Sequence, residues 1–466
     1  MIGRSGLAAR GSTSGRSGSD RRANVPGARG AYRHPGRMGR RDQYVLRTVE
    51  ERGVRFVRLW FVDVLGLLKS VAIPVSELEP ALEEGIGLDG SALEGGARRR
   101  ERDVIARPDP ATFSLLPWRD GQVGRMFCAI EQPDGAPSPA DSRTALGRVL
   151  TTAADLGWTA QVGAEIEFFL FADDGETEAP RPLDAGAYFD LTPLDEGSDF
   201  RRRTIDHLEQ MGIPVKASHH EVAPSQHEIA LAHTDALSMA DAITTFRLTV
   251  KEVAAELGVF ATFMPKPLEA HAGSGMHLHL SLFAGERNAF HDIAPEQTLS
   301  PLGRHFLAGV LAHAPELTLL TNQWVNSYKR LATGFEAPSH AVWTRTGGEG
   351  LVRVPSSRPL RERGTRIELR SPDPGANPYL CLALTLAAGL RGIERGYQLP
   401  AEEEPGAARL PADLREATSA FERSELARDT LGDSLVELVV LNKREEWDAF
   451  QSTVSAWELR RFLRLL

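Results

Sequence analysis

Four stretches of this sequence carry residues whose types and spacing suit charge-handling chemistry. In QVGAEIEFFL at 161–170, a strand-like run, side chains alternate faces, so Glu165 and Glu167 project together while Ile166 and Phe168 turn the other way. In GMHLHLS at 275–281, His277 and His279 share one face against Leu278 and Leu280. In TRIELR at 365–370, Arg366, Glu368 and Arg370 share a face against Ile367 and Leu369, and HHEVAPSQHE at 219–228 supplies Glu221 and Glu228. Carboxylates crowded on an apolar strand repel one another and lose solvation, a cost that cations offset. The plain alternatives are a solvated strand face for the two glutamates and satisfied core positions for the histidines. Three ionic faces on apolar strands weigh against those alternatives. A ligand set rich in oxygen with one imidazole suits Mg²⁺ or Mn²⁺ better than zinc. The interleaved arginines suit an anionic substrate, because a guanidinium grips carboxylate or phosphate through paired hydrogen bonds. No Walker-type loop is present and no dinucleotide-binding glycine fingerprint follows a strand. A bound nucleotide would therefore rest its phosphates on metal ions and arginines.

The elements that must position these groups are legible in outline. A helix is expected over 41–52, with Val45, Leu46 and Val49 on one face. Strands are expected over 54–64 and 66–73 around a Leu65-Gly66 turn, and a helix over 75–84. The Gly-rich, charged stretch 88–102, with Arg98, Arg99, Arg100 and Arg102, reads as a solvated loop. The clearest linker is PDGAPSPAD at 133–141, whose Ser138 and Asp141 can cap a helix near 143–156. It divides the chain into a basic tail at 1–40, a first domain at 41–137 and a second at 142–466. Beyond the linker, strands and helices alternate without a strict βαβ period. The acidic stretch 400–411 reads as a surface loop, and helices close the chain.

Length and composition bound the answer. The chain has 466 residues and a net charge of −9, enough for two to three domains and a large core. Two cysteines, Cys128 and Cys381, form no disulfide framework and no zinc spacing, so a reducing, cytoplasmic setting is the default. The longest apolar run, 381–390, is too short to span a bilayer, and a pI near 5.9 argues against nucleic-acid binding. Residues 1–40 hold nine arginines and one acid, Asp20, for +8, which leaves −17 for the rest. Such a segment cannot bury enough apolar surface to order itself. A disordered tail, or a start at Met38, is the reading carried forward. An Arg/Ser-rich targeting segment and a nucleic-acid arm are the alternatives.

Taken together, LDGS at 88–91, EIEFF at 165–169, SHHEVAPSQHE at 218–228, ATFMPKP at 261–267, GSGMHLHLSL at 273–282, NSYKRL at 326–331, GFEAP at 334–338 and RIELRSPDPGANPYL at 366–380 resemble the glutamine synthetase family of the bacterial type I kind. The resemblance covers nearly everything from residue 41 to 466. It implies an α+β fold: a small β-grasp-like amino-terminal domain and a large catalytic domain built on a curved antiparallel sheet. It further implies a homo-oligomer, a dodecamer of two stacked hexameric rings, with active sites shared between neighbours. By motif position, Glu167, Glu221 and Glu228 would hold one metal and Glu165, His277 and Glu368 a second, with two to three ions per site. Arg330, Arg370 and the backbone at Gly273 would bind glutamate. Ser281, Arg353, Arg363 and Arg366 would face ATP. Glu336 would sit on a flap over the intermediate, and Asp89 of an adjacent subunit, with Tyr188, would line the ammonium site. The implied activity is ATP-dependent ligation of glutamate to ammonium through an acyl phosphate.

The sequence also departs from the family's pattern. Gly348, in TRTGGEGLVRVP at 344–355, stands where a catalytic arginine is usual, and Arg345 is placed to substitute through a loop shift. Ala92, Gly96, Lys216, Ser225 and Ala272 replace residues usual at the acceptor, nucleotide and glutamate edges. Tyr397, in YQLPAEEE, resembles a tyrosine that some members adenylylate. These departures keep open a ligase for another amine, such as a polyamine, and a catalytically weak metabolite-binding oligomer.

Overall fold

The computed structural model describes residues 39–96, 101–119, 122–172, 180–191, 197–292, 299–332, 337–346, 348–356 and 362–466. All belong to one compact unit, His34–Leu466. Residues 1–38 of the expected tail, Arg98 to Arg100 and Glu336 lie outside the described residues, and Arg40 already belongs to the first helix.

The chain enters through helix Arg40–Glu51, which buries Val45 and Val49; Asp42 closes its start by accepting the Gly39 N–H at 2.7 Å. A six-stranded sheet follows, in the order Leu68–Pro74, Phe56–Val62, Val123–Glu131, Asp103–Pro108, Ile86–Asp89, with Ser114–Leu115 added beside Val123–Glu131. Phe56–Val62 runs parallel to Val123–Glu131, and the other pairs are antiparallel. Val57, Leu59, Met126, Cys128 and Ile130 form its core against the helix. Gly66 turns the first hairpin at φ +75°, and a side chain there would strike Asn377 Cα at 2.7 Å. The stretch expected as a loop from residue 88 begins instead as an edge strand, because Leu88 and Asp89 pair with Val104 and Asp103. Ladder hydrogen bonds there outweigh the loop-like composition.

Asp141 caps the next helix, Ser142–Asp155, by accepting the Arg143 N–H at 3.1 Å. Ser138 does not share that role; its hydroxyl accepts from Ala140 at 3.4 Å.

The second sheet has nine strands. Its path is Trp343–Thr344, Val352–Arg353, Ile367–Leu369, Met276–Ala284, Thr159–Phe171, Gln226–Asp235, Val215–His220, with Phe260–Thr262 and Arg287–Asn288 at its margins. All its pairs are antiparallel except Trp343–Thr344 with Val352–Arg353, so the sheet is mixed rather than purely antiparallel. Helices Ser142–Asp155, Ala236–Leu257, Pro301–Ala312 and Pro378–Arg395 pack into one apolar core with its buried face, through Ile166, Phe168, Leu278, Ile243, Phe306 and Leu382. Among the described residues no helix is long and apolar enough to cross a membrane.

Candidate functional site

The site lies on the middle strands of the nine-stranded sheet, on the face opposite its apolar core. Alternation along Thr159–Phe171 sends Ile166 and Phe168 inward and Glu165 and Glu167 outward. Register then supplies the partners. His277 stands directly across from Glu165, Glu228 across from Glu167, and Glu368 across from His279.

Two groups of ligand-type side chains result. Glu165, His277 and Glu368 offer atoms within 4.8 Å of one another, with His277 Nδ1 3.8 Å from Glu165 and 3.7 Å from Glu368. In the second group, His219 Nδ1 lies 3.4 Å from Glu221 and its Nε2 3.2 Å from Glu228. Glu167 borders this group. Its Oε2 accepts Gln226 Nε2–H at 2.7 Å and the Gly275 N–H at 2.9 Å. Burial pushes the Glu167 carboxyl well above its ordinary range, and the charges of Glu221 and Glu228 push it further. Burial opposes ionisation of Glu165 too, but His277 and His279 outweigh it and hold that carboxyl well below its ordinary range. Glu167, Glu221, Glu228 and Glu368 are all buried. Buried carboxylates crowded this closely, with imidazole beside each group, are a donor set that fits divalent cations with a preference for oxygen ligands.

Arginines border the first group. Arg353 Nη1 donates to Glu368 Oε2 at 3.2 Å, Arg366 Nε donates to His279 Nδ1 at 3.0 Å, and Arg370 Nη1 stands 3.8 Å from Glu368. Among the described residues the buried Arg370 Nε–H has no partner, which leaves a donor for an anion. Arg330, on helix Ser327–Leu331, donates to the carbonyls of Ser371 at 2.7 Å and Arg370 at 3.1 Å. It lies under Gly273 and Gly275: a Cβ at Gly275 would sit 2.6 Å from its Nη2, and one at Gly273 would strike the Pro265 carbonyl at 2.2 Å. Ser281 shares the strand and face of His277 and His279 and is buried.

Other expected residues lie on other elements of the chain. Arg363 is exposed and pairs with Glu286. Tyr188 is half exposed, its ring 5.7 Å from that of His219. Asp89 lies on the first sheet, where it accepts from Ser91 N–H at 3.0 Å, Ser91 Oγ–H at 2.8 Å and Arg102 N–H at 3.2 Å. Glu402 holds Arg345, accepting its Nε–H at 2.8 Å and its backbone N–H at 2.6 Å. Gly348 itself lines a cavity of about 650 Å³ with Thr344, Glu349, Glu403 and Glu404.

The sequence assigns no role to His219 or Gln226, and it singles out His279 without assigning it one. The shared face of His277 and His279 was the available signal for the last. Gln226 carries none, since its contact with Glu167 joins two neighbouring strands whose register the sequence does not give.

Comparison with known proteins places these observations. Residues 139–462 match the family model for the glutamine synthetase catalytic domain, and residues 53–133 match the model for its β-grasp domain. The chain is 51% identical over 448 residues to a glutamine synthetase of Mycolicibacterium smegmatis, covering 92% of this chain and all of that protein. It is 50% identical over 446 residues to one of Mycobacterium tuberculosis, with the same coverage of 92% and 100%. Among solved structures, a GmaS/ADP complex superposes with a TM-score of 0.82 at 32% identity, over 90% of this chain and 99% of that one. A Plasmodium falciparum glutamine synthetase superposes at 0.83 over 90% and 98%; at 23% identity it shows the shared fold.

Proposed function

The chain belongs to the glutamine synthetase family, and we propose that it joins ammonium to the γ-carboxyl of glutamate at the cost of ATP, by way of γ-glutamyl phosphate. The convergence of buried glutamates and an imidazole beside arginines carries this reading.

Glu167, Glu221 and Glu228 would hold one divalent cation, Mg²⁺ or Mn²⁺, and Glu165, His277 and Glu368 another. These ions, with a third beside the nucleotide, supply charge neutralisation for phosphoryl transfer when bound. Arg330 and Arg370 orient glutamate through its carboxylates. The Arg370 Nε–H, without a partner among the described residues, supports this role. Arg353 and Arg366 face the phosphates, with Ser281 beside them. The γ-carboxylate attacks the γ-phosphorus, ADP leaves, and the acyl carbon then carries phosphate as a good leaving group. Asp89 takes one proton from ammonium, the ammonia attacks the acyl carbon, and phosphate departs with the second proton that the nitrogen gives up. Tyr188 lines the acceptor edge, and Glu336 keeps water from the acyl phosphate.

Asp89 stands on the first sheet, outside both carboxylate groups. That placement supports its supply by a neighbouring copy within a homo-oligomer, as in a dodecamer of stacked rings. Two free, buried thiols suit a reducing cytoplasm.

The test is phosphate release by purified protein with ATP, glutamate and Mg²⁺. Release that depends on ammonium and yields glutamine is expected. Release with putrescine but not ammonium would move the assignment to another amine, and none with any amine would remove it.

A further inference from the structure

The loop between strands Val215–His220 and Gln226–Asp235 carries Glu221 at its start and leads directly to Glu228. Near its end Ser225 sits at φ +56°, a conformation that favours glycine. Two reciprocal hydrogen bonds hold it there. The Asp184 N–H donates to Ser225 Oγ at 2.8 Å, and the Ser225 N–H donates to Asp184 Oδ1 at 2.9 Å.

The same Asp184 oxygen accepts the Gly186 N–H at 3.1 Å and stands 3.0 Å from His220 Nε2. His220 Nδ1 lies 2.7 Å from the Glu221 carbonyl. The Phe189 N–H donates to the His220 carbonyl at 3.1 Å, and the Phe189 ring lies 4.5 Å from that of His219. Gly186 has no room for a side chain, since a Cβ would stand 2.6 Å from His220 Nε2. One carboxylate oxygen thus gathers the segment leading to Tyr188 and the loop bearing Glu221.

Asp184, His220 and His227 also approach one another as metal ligands would. Arg201 argues against an ion there. Its Nη1 lies 2.8 Å from His227 Nδ1, and a guanidinium can only donate. His227 Nδ1 therefore accepts, and its Nε2 carries the hydrogen rather than a free lone pair.

We propose that Asp184, clasped by Ser225, is a positioning residue that sets the Glu221–Glu228 loop and the acceptor edge at Tyr188 and Phe189 together. This rests on the ligase reading above for what those edges bind. Mutation of residues that support metal ligands typically costs ten- to a hundredfold in affinity.

The experiment compares full-length wild type, Ser225→Gly, Ser225→Ala and Asp184→Asn in three measurements: Mn²⁺ binding by electron paramagnetic resonance, KM and kcat for ammonium, and thermal melting. Glycine adopts φ +56° freely and alanine does not, so the pair separates relief of strain from loss of the hydroxyl. Both serine variants are expected to weaken Mn²⁺ about tenfold and to raise the KM for ammonium about tenfold, with kcat changed less than about threefold. Asp184→Asn is expected to do the same or more. If Ser225→Gly matches wild type in Mn²⁺ affinity and KM while only Ser225→Ala is impaired, the hydroxyl merely offsets backbone strain and the proposal fails. Loss of melting temperature and kcat together, with Mn²⁺ affinity and KM unmoved, also overturns it. Should wild type ligate no ammonium, the ligase reading fails, and Mn²⁺ binding still decides the clasp.

Discussion

Arg366 donates its Nε–H to Nδ1 of His279 at 3.0 Å, and this settles what His279 offers its other neighbour. With Nδ1 accepting, a neutral His279 carries its hydrogen on Nε2, which stands 2.9 Å from Glu165 Oε1. The distance is that of a hydrogen bond, although its angle leaves Nε2 without a well-directed partner. Arg366 thereby fixes the tautomer that His279 presents toward Glu165.

Replacing His279 with alanine is expected to leave Glu165 free to turn and to weaken Mn²⁺ at its group about tenfold. A Mn²⁺ titration of the purified variant checks this. Unchanged affinity would show that His277 alone suffices to hold Glu165.

Glu167→Gln keeps an acceptor oxygen for Gln226 and Gly275 while it removes a carboxyl whose ionisation burial and the charges of Glu221 and Glu228 oppose. Without metal, the variant is expected to melt about 1–2 °C above wild type. With Mg²⁺ or Mn²⁺ it should gain much less stability than wild type does, because it offers the ion one charge fewer. Its kcat should fall at least about a hundredfold. Calorimetry with and without EDTA reads the first two outcomes; a lower melting point without metal would contradict the account of charge crowding.

Arg345→Ala is expected to leave kcat within about twofold, because Glu402 already holds that guanidinium at the surface. Gly348→Arg is expected to raise kcat about tenfold or more by returning a cation to that position. A hundredfold loss in the first variant would show instead that Arg345 reaches the reacting groups.

Burial pushes the Cys381 thiol up to about 12. At pH 8 only about one ten-thousandth of it is thiolate, so alkylation should wait for unfolding. The unfolded thiol releases its proton near pH 8.5 while the folded one keeps it, so this group's contribution to stability falls as pH rises from about 8.5 toward 12. Mass spectrometry of iodoacetamide labelling, with and without denaturant, tests the first point. Rapid labelling of Cys381 in the native protein would mean that its helix opens readily.

Much of this site was legible in the sequence. A period of two, read against apolar neighbours, already placed Glu165 with Glu167, His277 with His279, and Arg366 with Glu368 and Arg370, because alternation is a local property of a strand. It could not place His277 opposite Glu165 or Glu228 opposite Glu167, since register is set by packing between distant segments. The ladder that turned Leu88 and Asp89 into a strand is likewise a pairing with residues 103 and 104. Gln226 on Glu167 and Asp184 on Ser225 join segments 59 and 41 residues apart, and no spacing rule announces such contacts. Residue types determined which charges the chain could gather; only the folded sheet decided which of them meet, because that depends on where separate strands come to lie side by side.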